Sequence, residues 1–153
     1  MTYDIKALRD LEKRLAEAKG PDRVQDFWIA VELGPSPLKS DTGTEARPNW
    51  VNDSGQEFDL WGAEGRYGFI GHHVVPVVTA SLDAAVALVE RVLPGFHWHV
   101  ETMAKPHTQW IAEMYDHEAE RPRGVKQGHS KATPALALCL ACVRALIAQE
   151  EAA

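Results

Sequence analysis

The sequence predicts an α/β protein of the α+β type, with an antiparallel sheet sandwiched between helices in a single domain, residues 1–153. Four segments repeat apolar residues every three or four positions, which is typical of helices with one buried face. One segment alternates apolar and polar residues, and an apolar run follows it across a turn-like spacer, as in a hairpin. A chain of 153 residues has the length of one domain with a sizeable core.

Two amphipathic helices are predicted at the start of the chain. The first ends at Gly20, and the second begins near Pro21 and closes at Gly34. Their apolar stripes consist of Ile5, Leu8, Leu11 and Leu15 in the first helix and Val24, Phe27, Trp28 and Val31 in the second.

The third and fourth predicted helices begin at recognisable caps. In TASLDAAVALVERVLPG, Ser81 is a natural N-cap and Asp83 lies in the first turn, where its charge suits the helix dipole. In KATPALALCLACVRALIA, Thr133 is the cap and Pro134 occupies the first turn. This last helix is apolar on nearly every side, as expected of a helix packed deep against a sheet.

The predicted hairpin joins FHWHVETM to TQWIAEMYD. Alternation in the first strand separates two faces, which carry Phe96, Trp98 and Val100 on one side and His97, His99 and Glu101 on the other. The polar stretch 117–131 is predicted to be a loop between this hairpin and the last helix.

An aromatic- and glycine-rich insert is predicted at about residues 35–75. Within it, residues 57–61 and 66–70 have the pattern of two short strands joined by a glycine-containing turn. Because aromatic loops often carry binding function, Trp50, Trp61 and Tyr67 are candidate ligand-binding residues. The alternative is that these rings cover a small core.

The Cys-Leu-Ala-Cys sequence in the last helix suggests redox or zinc chemistry, but its position favours packing. Cys139 and Cys142 lie in the middle turns of the helix, away from the positive N-terminus that stabilises a reactive thiolate. No second close pair of Cys or His residues accompanies them, as structural zinc would require. We therefore expect two small apolar core residues.

His97 and His99 are the remaining candidate binding residues, because positions i and i+2 of a strand point to the same side. Two histidines alone are a weak metal signal, since catalytic zinc needs three protein ligands. We expect no metal and no cofactor. Carboxylates at Glu101, Glu113 and Asp116 lack an accompanying nucleophile motif, so no catalytic residue is assigned.

Composition restricts the classes of partner. The formal net charge is −6, and the basic residues are scattered rather than gathered into a stripe, which argues against nucleic acid. No apolar run approaches the roughly 20 residues that cross a bilayer, and the first residues lack a signal-peptide pattern. We expect a cytoplasmic protein without a membrane partner.

Three stretches carry a resemblance to a known family: LEKRLAEAKGPDRVQDFWIAVELG, PVVTASLDAAVALVERVLPG and TPALALCLACVRALIA. Together with the tryptophan-bearing strand they resemble the phage ABA sandwich domain, a family of small phage and prophage proteins. The insert is unmatched, and Val78 stands where the family usually has tyrosine. The resemblance implies helices on both faces of an antiparallel sheet, a host-cell cytoplasmic setting, a packing role for Cys139 and no established activity.

The functional prediction is a phage-derived accessory protein that binds a small molecule or a protein, through the aromatic insert and the neighbouring sheet face, rather than catalysing a reaction. Three alternatives remain open: an anti-defence protein that sequesters a nucleotide signal, a homo-oligomeric structural or interaction protein, and a metal-dependent hydrolase built on His97 and His99. The first needs an aromatic-walled pocket, which Trp50, Trp61 and Tyr67 could supply.

Overall fold

The computed structural model describes residues 2–34, 39–44, 47–51, 57–59, 69–70, 73–74, 76–102, 109–116, 126–130 and 133–153. These residues form two compact units, one made of residues 1–22 and 78–153 and the other of residues 23–77. We call them the main unit and the inserted unit. The α+β class with an antiparallel sheet is confirmed, while the single domain remains a prediction.

Helices and strands follow one another in an order close to the predicted one. The described elements are α1 (Ile5–Glu17), α2 (Arg23–Leu33), β1 (Lys39–Thr44), β2 (Arg47–Val51), β3 (Glu57–Asp59), β4 (Phe69–Ile70), β5 (His73–Val74), α3 (Leu82–Val92), β6 (Phe96–Thr102), β7 (Trp110–Asp116), β8 (Lys126–Ser130) and α4 (Pro134–Ala152).

Side-chain caps begin the three helices of the main unit. The Asp4 carboxylate accepts a hydrogen bond from the Lys6 amide at 2.8 Å, which starts α1. The predicted caps are confirmed, since the Ser81 hydroxyl accepts from the Ala84 amide and the Thr133 hydroxyl from the Leu136 amide. Each cap satisfies an amide that has no partner within its own helix.

The sheet of the main unit has the strand order β6-β7-β8, and both pairings are antiparallel. The predicted β6–β7 hairpin is confirmed, in an unbroken register from Phe96 opposite Asp116 to Thr102 opposite Trp110. Before it, Gly95 turns the chain out of α3 with a φ of 86°, a conformation that glycine adopts without strain. The prediction of a loop was wrong for residues 126–130, which form β8.

Helix α4 is the centre of the main unit and contacts the sheet as well as α1 and α3. Its side chains are buried on almost every side, as predicted for a helix packed deep in the fold. Against the sheet, the approach is closest at Gly128 of β8. A Cβ atom there would collide with the Ala137 carbonyl oxygen and lie 2.7 Å from the Ala141 amide nitrogen. The absence of a side chain therefore lets α4 rest directly on the β8 backbone.

In the main unit, α4 covers one face of the β6-β7-β8 sheet. Ala112 and Met114 of β7 point to that face and are fully buried. On the opposite face, His99, Glu101 and His129 are exposed. The resemblance implies helices on both faces, but the described helices of this unit cover one of them.

The inserted unit contains α2 and two small antiparallel sheets, one of order β1-β2-β3 and one of β4-β5. Of the predicted hairpin between residues 57–61 and 66–70, the structure describes 57–59 and 69–70, which do not pair with each other; the remaining residues lie outside the described ranges. Instead β3 pairs with β2, and β4 pairs with β5. In α2, the Asp26 carboxylate is 1% exposed and forms an ion pair with Arg23 at 2.8 Å. This pairing offsets the cost of burying the charge.

Candidate functional site

The exposed face of the β6-β7-β8 sheet carries most of the polar side chains of the predicted site. We call this surface the histidine face. The strand alternation and the register show which side chains lie on this face. They are His97, His99, Glu101, Ile111, Glu113, Tyr115, Gln127 and His129. Because α4 closes the other face, the backbone beneath these side chains is held in a fixed geometry.

His97 lies opposite Tyr115 in the register, and the two rings stack. Their centroids are 5.8 Å apart and their planes differ by 7°. Such a cross-strand aromatic pair stabilises the sheet and fixes the orientation of the imidazole.

His99 lies between two carboxylates at the centre of the face. Its Nδ1 atom is 3.8 Å from a Glu113 oxygen and its Nε2 atom is 3.9 Å from a Glu101 oxygen. Those distances exceed a hydrogen bond but allow attraction whenever the ring is protonated. The Gln127 amide donates to the other side of the cluster, reaching Glu113 at 3.2 Å. This row of donors and acceptors runs across all three strands.

His97 and His99 project from one face, as the sequence predicts, but each ring has separate neighbours. His97 stacks on a tyrosine and His99 is flanked by carboxylates. Within the described parts of the chain, no group of three or more His, Cys, Asp or Glu side chains is placed to hold a metal ion. What this arrangement offers is a surface of exposed hydrogen-bonding groups.

The aromatic candidates of the insert are placed only in part. Trp50 lies in β2, between Ser40 of β1 and Phe58 of β3 in the register. Trp61 and Tyr67 fall outside the described residues. Their assignment to a ligand site therefore stays a prediction.

Neither cysteine of α4 forms a disulfide, and both are buried, as the helix pattern predicts. The Cys139 Sγ atom lies 3.5 Å from the Val78 carbonyl oxygen. Burial raises the pKa of the Cys142 thiol to about 12, an effect that the nearby Arg91 charge opposes in part. A thiol with this pKa is neutral at physiological pH and packs as a small apolar group.

A buried polar contact at Thr79 was not found by reasoning from the sequence. Its hydroxyl accepts from the Asp22 amide at 2.9 Å and lies 3.3 Å from the Asp22 carbonyl oxygen, to which it donates. Its backbone carbonyl accepts from the Thr133 hydroxyl at 2.7 Å. Three distant chain segments thus meet at a fully buried residue. The only sequence signal was a threonine two positions before a helix cap.

A shallow cleft of about 220 Å³ lies between α1 and α4 and is lined by two arginines and two glutamates. Arg9 pairs with Glu12 and Glu151, and Arg144 pairs with Glu12 at 3.0 Å. Arg144 also donates to the backbone carbonyl of Gln127 in β8. Each arginine is paired with glutamate, so these ion pairs link α1 to α4. The arginine charges are therefore used within the fold and do not form an anion-binding site.

Among the helices of the described regions, none is long and apolar enough to cross a membrane. Comparisons of the chain with protein-family models, curated proteins and solved structures found no match.

Proposed function

We propose that the protein acts by binding a partner through the histidine face, and that it is an accessory protein of a phage or prophage. The observation that carries the binding role is the difference between the two sides of the sheet. Buried Ala112 and Met114 face α4, whereas the other side presents exposed His99, Glu101 and His129. Exposed polar side chains held on a rigid sheet are a common basis of recognition.

The chemistry of this face suits a protein partner with basic groups. Glu101 and Glu113 are carboxylates with exposed fractions of 55% and 31% at their side chains. They attract lysine and arginine, and the imidazoles and Gln127 add further hydrogen-bonding groups. The exposed side chains of His99, Glu101 and His129 lie on a sheet face and suit a macromolecular surface, whereas small molecules bind in concave sites.

The proposal is tested by capturing a partner from a cell extract with three proteins: the parent, a variant of the histidine face and a matched control variant. The immobilised protein is exposed to extracts of bacterial cells, and the retained proteins are identified by mass spectrometry. We expect a partner that the parent retains and the His99→Ala, Glu113→Ala double variant loses. An Asp10→Ala, Lys13→Ala variant on the exposed side of α1 should retain it.

Two results would contradict the proposal. Either the partner is retained equally by the face variant, or a nucleotide raises the melting temperature of the parent and the face variant alike. The second result favours the nucleotide-sequestering alternative.

The phage origin is supported by the resemblance of the TASLDAA stretch and the α4 sequence to phage ABA sandwich proteins. Its test is independent of binding, because the genes beside the coding sequence can be read. Neighbouring genes for capsid, tail or lysogeny proteins are expected. A neighbourhood of ordinary metabolic genes in several genomes would contradict the phage origin.

A further inference from the structure

The position of His99 lets a single proton change the charge at the centre of the histidine face. Its two ring nitrogens face different carboxylates, with Nδ1 at 3.8 Å from a Glu113 oxygen and Nε2 at 3.9 Å from a Glu101 oxygen. The His99 side chain is 48% exposed, so the ring exchanges protons with the solvent. Histidine is the side chain that ordinarily changes its charge between about pH 5 and pH 8. Across that range the centre of the face changes from two carboxylates alone to two carboxylates with a cation between them.

Other titratable and polar groups surround this ring on the same face. On β6, His97 lies two residues earlier and stacks on Tyr115 of β7. On β8, His129 is exposed, and the Gln127 amide donates to Glu113 at 3.2 Å. Helix α4 packs against the opposite face of the sheet. Because the two other imidazoles also gain a proton on acidification, a test must separate their contribution from that of the central ring.

A protonated His99 competes with a basic partner for the same two carboxylates. The imidazolium carries the same charge as a lysine or arginine side chain, and its N–H groups point toward oxygens of Glu101 and Glu113. It therefore attracts the carboxylates to itself and repels an incoming cation, whereas the neutral ring does neither.

We propose that His99 is a pH switch on the histidine face. The neutral ring leaves Glu101 and Glu113 to a basic side chain of the partner, and the imidazolium excludes that side chain. This inference rests on the proposed function and adds a regulation to it. Binding of the basic side chain then releases the proton of His99 to the solvent.

The sign of the pH dependence follows from this exchange. Because the competing form of the ring holds one more proton than the binding form, acidification weakens binding. In the limit of complete exclusion, the dissociation constant rises about tenfold for each pH unit below the titration of the ring, and above it the constant is independent of pH.

The probe is a fluorescein-labelled hexa-arginine peptide, whose anisotropy is measured with the full chain at about pH 5.5 and about pH 7.5 and at constant ionic strength. For the parent we expect the dissociation constant to be about fivefold or more higher at the lower pH. For His99→Gln, which cannot take up a proton, the change should be less than about twofold. The comparison variant His129→Gln removes another exposed imidazole of the face and should retain the pH dependence of the parent.

A Glu101→Gln, Glu113→Gln variant shows whether the peptide occupies the face, and it should bind more weakly than the parent at about pH 7.5. Equal affinity of this variant and the parent would overturn both the switch and the proposed recognition of basic groups. Weaker binding by this variant, together with a parent constant that does not change with pH, would overturn the switch alone. A pH dependence that His99→Gln retains would also overturn it.

Proton release provides a measurement that needs no variant. The peptide is titrated into the parent near pH 6.5 in two buffers with different ionisation enthalpies, and the difference in heat gives the protons released on binding. We expect the parent to release protons and His99→Gln to release fewer. Binding by the parent without proton release would overturn the proposal even if the His99→Gln chain fails to fold.

Discussion

At the scale of single residues, Thr79 illustrates how one side chain can satisfy several backbone groups. Its hydroxyl is the hydrogen-bond partner of both the amide and the carbonyl of Asp22. Removing it while keeping the shape would leave those two groups without that partner. The net contribution of one such hydrogen bond to stability is about 0.5 to 1.5 kcal/mol.

We therefore expect Thr79→Val to lower the free energy of unfolding by about 1 to 3 kcal/mol, the net value of two hydrogen bonds. Ser81→Ala is the matched control two residues away. It removes a single cap contact and should cost about 1 kcal/mol. Urea melts of the two variants and the parent give both values. Equal losses would show that the Thr79 hydroxyl does no more than an ordinary cap.

The Cys142 thiol makes stability depend on alkaline pH. Its pKa is about 12 in the folded chain and close to the ordinary 9.0 when unfolded. Between these values the unfolded chain has lost the proton and the folded chain keeps it, so the free energy of unfolding falls as pH rises. Below about pH 9 both states hold the proton, and the effect is absent.

At pH 10 we expect the parent to lose about 1.4 kcal/mol more than Cys142→Ala, relative to pH 8. Burial also raises the Tyr3 pKa, and the Cys142 charge adds to this shift, so the two proteins are compared in a Tyr3→Phe background. Urea melts of both proteins at the two pH values provide the measurement. Identical pH dependence would mean that the thiol is not desolvated.

At the scale of elements, the contact between α4 and β8 depends on the missing side chain of Gly128. A methyl group there would meet the α4 backbone rather than a movable side chain. Gly128→Ala must therefore push the helix away from the strand, and we expect a loss of about 3 kcal/mol or more, the upper end for overpacking.

Gly95→Ala is the matched comparison for this prediction. A Cβ at Gly95 would meet no atom within 4 Å, and its φ of 86° is the only source of strain. That substitution should cost about 1 to 2 kcal/mol. Urea melts rank the two variants, and the reverse order would contradict the close packing of α4 on β8.

Gly128 also explains why some elements could be predicted from the sequence and β8 could not. Helices α1, α3 and α4 and the β6–β7 hairpin follow from apolar periodicity and caps, which are local signals. Strand β8 has the sequence KQGHS, in which the buried position is a glycine, so there was no apolar alternation to detect. Burial there comes from α4 approaching the backbone, which is a tertiary effect.

Strand pairing in the insert was mispredicted for a related reason. β3 pairs with β2, whose sequence RPNWV contains a proline and little alternation. The nearer apolar run at Phe69 has the stronger local pattern, and that pattern predicts a hairpin with the segment of β3. At the candidate site, the alternation correctly placed His97 and His99 on one face. The tyrosine and carboxylate neighbours of these residues depend on the register, which the sequence pattern did not supply.

At the scale of the whole molecule, the inserted unit leaves and rejoins the main unit at neighbouring points. The Asp22 amide lies 2.9 Å from the Thr79 hydroxyl, so the residues that flank the insertion are held side by side. Leu8, Leu15 and Met114 of the main unit are buried in the chain. A short connection could therefore replace residues 23–77 without stretching the chain.

We expect a chain in which a short glycine-serine linker joins Asp22 to Val78 to keep a cooperative urea transition, since loop length changes closure entropy only slowly. A broad or missing transition would mean that residues 23–77 belong to a common core. The same chain also locates binding. A partner retained without the insert supports the histidine face, whereas loss of the partner from a folded chain returns the function to the aromatic insert.

The contacts that α1 and α4 make with β8 bear on whether further strands can add to this edge of the sheet. A chain with two open edges can add copies at both ends and grow into fibres, because head-to-tail contacts need not close. Here the contacts of α1 and Arg144 with β8 obstruct one end of any such stack. The arginine that joins α4 to β8 would then hinder the addition of a further strand at this edge as well as stabilise the fold.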